Sequence, residues 1–81
     1  MEWIEVVEQT EEYIKLQYYP EKTEAVGEYG VVKYFFNTDK WIFEKLLDNY
    51  PTSYAMHACN FVRRPYKNGE RIFLSGIAAW Y

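Results

Sequence analysis

The sequence predicts an α+β domain: an antiparallel β-meander of three or four strands, one main helix at about 53–64 packed on one face, and a closing C-terminal strand. Three observations carry this. The first half holds β-branched and aromatic runs separated by polar breaks. Alternation along those runs sorts them into an apolar and a mixed face. A later stretch repeats its apolar residues at helical spacing. With 81 residues, one domain spanning 1–81 with one modest core is all the chain can build.

Trp3 to Glu8 and Tyr13 to Tyr19 are the first two strands, joined by a polar turn that lacks an Asn-Gly dipeptide. Pro20 holds Tyr19 extended and ends the second strand, and the polar stretch 21–28 is a loop. Tyr29 to Phe36 is the third strand. One face then carries Ile4, Val6, Ile14, Leu16, Tyr18, Val32, Tyr34 and Phe36, which is the expected core. The other carries Trp3, Glu5 and Val7, then Tyr13, Lys15, Gln17 and Tyr19, then Tyr29, Val31, Lys33 and Phe35.

Residues 41–47 read in two ways. On a helical wheel Ile42, Phe43, Leu46 and Leu47 share a side, and periodicity alone favours a short helix. As a strand, the stretch follows a four-residue hairpin loop, Asn37-Thr38-Asp39-Lys40, and Trp41, Ile42 and Phe43 have strand propensity. Ser53 to Arg64 is a helix, capped by Thr52 or Ser53 and stopped by Pro65. Its apolar side is Tyr54, Ala55, Ala58, Cys59, Phe61 and Val62, and the small alanines let it sit close on the sheet. Asn68-Gly69 marks a turn, and Arg71 to Tyr81 reads as the last strand.

The segments Tyr54-Ala55-Met56-His57-Ala58 and Gly76-Ile77-Ala78-Ala79-Trp80-Tyr81 resemble a group of short bacterial proteins of unassigned function. Those carry a Tyr-Ala-x-His-Ala helix and end in a Gly-x-x-Ala-Trp-Tyr strand. The resemblance is strong over the C-terminal third and extends to the rest only in layout. It implies a strand rather than a helix at 41–47, and a helix that normally continues where Pro65 stands. It brings no activity.

Composition narrows the functional classes. The chain is 49% hydrophobic and 21% aromatic, with nine Tyr, five Phe and three Trp, more ring surface than a small core needs. One cysteine allows no internal disulfide, and no signal peptide or bilayer-length apolar run is present, so the cytoplasm is the expected compartment. The charge of −3 divides unevenly: residues 1–28 carry eight acids against Lys15 and Lys22, while the remainder has seven bases against four acids.

Candidate chemistry is sparse. His57 and Cys59 suggest a nucleophile with its base, yet two residues apart on a helix they point in different directions, so an inert buried thiol is the better reading. One His and one Cys without suitably spaced carboxylates do not suggest a metal site, and Gly27 and Gly30 lack a phosphate-binding arrangement. No catalytic residue, cofactor or small-molecule substrate is expected.

Two surfaces remain. Trp3, Tyr13, Tyr19, Tyr29 and Phe35 form a candidate protein interface if a single helix covers only one sheet face, with a second copy of the chain or another protein as partner. The alternative is an accessory nucleic-acid contact through Arg63, Arg64, Lys67 and Arg71, interleaved with Tyr66 and Phe73. A helix C-terminus complemented by its basic residues is the plainer account of that cluster.

Overall fold

A computed structural model describes residues 1–79. Its elements are β1 (Glu2–Gln9), β2 (Tyr13–Pro20), β3 (Gly30–Phe35), β4 (Lys40–Lys45), α1 (Ser53–Lys67) and β5 (Gly76–Ala78). The strands form one antiparallel sheet in the order β4-β3-β2-β1-β5. Four strands thus run as a meander, and α1 carries the chain from the β4 edge across the sheet to the β1 edge, where β5 closes it.

The hairpin without Asn-Gly is built by Thr10. Its hydroxyl accepts from the Glu12 and Tyr13 N–H groups, both at 3.1 Å, and its own N–H reaches the Tyr13 carbonyl at 2.8 Å. A hydroxyl so placed performs the turn that a left-handed residue performs elsewhere. Further along, the β1–β2 register slips between Val6 and Glu8. Val7 is the extra residue of a bulge, so Glu8 rather than Val7 takes the outer position opposite Lys15.

Alternation placed the core correctly. Ile4, Ile14, Leu16, Tyr18, Val32, Tyr34 and Phe36 are buried, and they pack with Tyr54, Ala55, Ala58, Cys59 and Val62 of α1. Both Ala55 and Ala58 are fully buried, as a helix drawn close to a sheet requires.

Three expectations need correction. Residues 41–47 do not form the short helix that periodicity favoured. Lys40–Lys45 is a strand in which Trp41 pairs with Tyr34 and Ile42 with Lys33, and Trp41 and Phe43 pack against the core. Asp39, in the left-handed region at φ 53, makes the turn that returns the chain against β3, and backbone pairing outweighs a weak helical pattern.

Pro65 does not stop the helix, which runs through it to Lys67. Proline within a last turn removes a single helical bond. The stop comes at Asn68-Gly69: the Gly69 N–H bonds the Tyr66 carbonyl, the Glu70 N–H bonds the Pro65 carbonyl, and Gly69 has φ 97, a Schellman motif. At the other end Thr52 is the N-cap residue but makes no side-chain capping bond.

Finally, the last strand begins at Gly76, not Arg71. Its expected continuation through Trp80 and Tyr81 lies outside the described residues.

Candidate functional site

The outer face of the sheet is built by residues that alternate with the core positions. Trp3 pairs with Tyr19 on one side and with Ile77 on the other, Glu5 with Gln17, Lys15 with Lys33, and Tyr13 with Phe35. Among the described residues no helix or strand lies over this face, because the single helix packs on the opposite side.

The five candidate rings do not form one patch. At one end Trp3, Tyr19 and Tyr29 gather, the last two with ring centres 5.4 Å apart and the Lys45 ammonium 4.6 Å from the centre of Tyr29. At the other end Tyr13 and Phe35 lie 5.9 Å apart, and Lys33 sits 3.9 Å above Tyr13. A polar band separates them, with Glu5, Gln17 and a Lys15–Glu44 ion pair at 3.1 Å. Polar tips are satisfied locally: Trp3 Nε1 donates to Glu5 at 2.8 Å, the Tyr13 hydroxyl to Glu8 at 2.8 Å and the Tyr19 hydroxyl to Gln17 at 2.7 Å.

Exposure divides the five rings. Tyr19 is only 6% exposed and supports the surface from within, whereas Trp3, Tyr13, Tyr29 and Phe35 are half-buried. Two apolar members were missed. Ile42, opposite Lys33, is 52% exposed, and Ile77, opposite Trp3, is 46% exposed. Reading 41–47 as a strand would have supplied Ile42. Ile77 depends on the β1–β5 pairing, which no local pattern encodes.

The basic cluster is divided. Arg63 makes a bidentate pair with Asp39, Nε at 2.8 Å and Nη2 at 3.0 Å, and Lys67 approaches the same carboxylate at 3.3 Å. Arg64 lies on another side of the helix, beside a groove of about 280 Å³ that includes His57, Phe61 and Ile77. Arg71 donates to the Tyr66 and Glu70 carbonyls at 3.0 and 2.7 Å, with its guanidinium 4.0 Å from the centre of the Tyr66 ring. The four cations therefore do not form a single array.

Compared with known proteins, the chain matches no family model, no curated protein and no solved structure.

His57 and Cys59 are separated as helical geometry requires. Cys59 is fully buried, and burial first, then the Glu2 carboxylate, pushes its thiol up to about 12. The His57 imidazole is pushed below its ordinary value by burial, then by Arg64 and the chain N-terminus, which favours its neutral form. A disulfide reagent is expected to leave native Cys59 unmodified at neutral pH and to react at the rate of unfolding. Rapid labelling of the folded protein would contradict the packing of α1. No group of three or more His, Cys, Asp or Glu among the described residues is placed to hold a metal ion, and no described helix is long and apolar enough to cross a membrane.

Proposed function

We propose that this chain is a non-enzymatic protein-interaction module that self-associates through the outer face of its sheet. The observation that carries the reading is the uncovered face itself: three strands bring Trp3, Tyr13 and Phe35, and the residue before β3 brings Tyr29, to a side on which no described element packs. Aromatic rings with satisfied polar tips are the groups that interfaces favour. A standard interface takes about 800 Å² from each partner. In a body of 31 × 22 × 20 Å, an interface of that size would take the whole of one broad face.

Charge supports a second copy as the partner. The face mixes signs, Lys15, Lys33 and Lys45 against Glu5, Glu8 and Glu44, so a two-fold arrangement of two copies can set unlike charges opposite each other. A single buried cysteine suits a reducing compartment, and the cytoplasm is the location this reading adopts. Nucleic-acid contact ranks below, since Asp39 offsets Arg63 and Lys67; Arg71 stacked on Tyr66 is the observation in its favour.

NMR spectra recorded on dilution of the unmodified chain test the proposal. Concentration-dependent shifts are expected at Trp3, Tyr13, Lys33 and Phe35. Spectra in which these positions stay fixed while the rest of the surface responds would overturn it.

A further inference from the structure

The segment between the helix stop and β5 has the form of a strand without its ladder. Two side-chain bonds hold it along the free edge of β1: Gln9 Nε2 donates to the Arg71 carbonyl at 3.0 Å, and the Val6 N–H donates to Ser75 Oγ at 2.8 Å. Side chains alternate along it. Arg71 lies on Tyr66, Phe73 stacks on Phe36 with ring centres 5.9 Å apart, and Ser75 bonds β1. Ile72 and Leu74 point away and are 83% and 77% exposed, more than any other large apolar residue described. Among the described residues, 71–75 make no main-chain to main-chain hydrogen bond.

The two sheet edges differ. β4 carries Lys40, Glu44 and Lys45, charges of the kind that discourage strand addition. The segment 71–75 has one charged residue, Arg71, and it is drawn onto the Tyr66 ring. Extended backbone with unpaired groups and an apolar ridge is what an added strand recognises.

We propose that this edge is a second association surface, on which another copy of the chain adds antiparallel through the same segment. Its sequence is self-complementary in one register. With Phe73 opposite its counterpart, Ile72 faces Leu74 of the second copy and Leu74 faces Ile72, so each exposed apolar side chain covers the other. Arg71 then faces Ser75 and Glu70 faces Gly76, which places no like charges opposite each other. This pairing does not depend on the outer-face reading.

Hydrogen exchange of the full chain at low and high concentration tests it. The Arg71 carbonyl faces β1, so within 72–75 the amides of Ile72 and Leu74 are expected to exchange freely when dilute and to gain protection when concentrated. Ile72→Lys combined with Leu74→Lys, at sites exposed enough to leave the circular dichroism unchanged, is expected to abolish that protection. Amides at 72–75 that exchange equally fast at both concentrations would overturn the inference. So would protection that survives the double substitution. Outer-face shifts on concentration without protection at 72–75 would overturn edge pairing alone, and protection without such shifts would leave edge pairing standing and remove the outer-face reading.

Discussion

Gly30→Ala is expected to destabilise the domain by about 3 kcal/mol or more, at the upper end of overpacking effects. Gly30 lies opposite Tyr18 in the β2–β3 ladder, and a Cβ there would land on the Tyr18 ring itself. That ring has no room to withdraw. It is 1% exposed, and its hydroxyl accepts the Leu47 N–H at 3.3 Å. Either the ring leaves its position, losing core contacts and the Leu47 bond, or the two strands separate. A small domain has a stability of only about 5–15 kcal/mol, so the loss is a large fraction of the whole. Gly69→Ala is the control. Nothing lies within 4 Å of its Cβ position, and only the left-handed φ of 97 opposes the change, which costs about 1–2 kcal/mol. Urea unfolding measures both. Equal effects would contradict the packing of Tyr18 over Gly30.

Tyr34→Ala is expected to cost about 3–5 kcal/mol, as for other large aromatic truncations. Tyr34 is fully buried, meets Phe36 edge-on at 5.7 Å and lies 6.4 Å from Trp41. Its hydroxyl donates to Asp39 Oδ1 at 2.5 Å, beside the Arg63 pair. Tyr34→Phe keeps the ring and loses only this bond, so it separates packing from hydrogen bonding.

The same contacts set a pH dependence. Hydrogen bonds from Arg63, then Tyr34, hold the Asp39 carboxyl well below the usual range. A depressed carboxyl contributes stability that is present above the unfolded value of about 3.9 and is lost as pH falls below it. Asp39→Asn should therefore flatten the acid limb of the stability curve. Burial, then the bond to Asp39, pushes the Tyr34 hydroxyl up to about 12. That contribution is complete below the unfolded value of about 10 and disappears as pH rises towards 12. Tyr34→Phe should therefore flatten the alkaline limb of the stability curve, which urea unfolding between about pH 9 and 12 would show. An unchanged acid limb in Asp39→Asn would contradict the link between the β3–β4 turn and the helix.

What the sequence disclosed followed the strength of each local signal. Period-2 alternation in β2 and β3 identified Ile14, Leu16, Val32 and Tyr34 as core because neither strand is interrupted. It failed at Val7, where a bulge changes parity without any glycine or proline to announce it. For 41–47 the deciding interactions are nonlocal, backbone pairing with β3 and the Asp39 turn anchored to Arg63, and a short apolar run does not display them. Pro65 does not end the helix because a proline's cost depends on how many helical bonds remain beyond it. Near a Schellman stop few remain.

The candidate site was legible as a face but not as a distribution. Alternation brought Trp3, Tyr13, Tyr29 and Phe35 to one side, yet strand register separates them into two clusters around a charged band. By sequence Ile72 and Leu74 belong to the last strand. Their exposure arises because side chains of Gln9 and Ser75, not a backbone ladder, hold that segment to β1.

Sedimentation equilibrium of the unmodified chain over a wide concentration range addresses the self-association reading most directly. The account predicts an average mass above the 9.8 kDa of one chain that returns to that value on dilution. A single 9.8 kDa species at every concentration would contradict it.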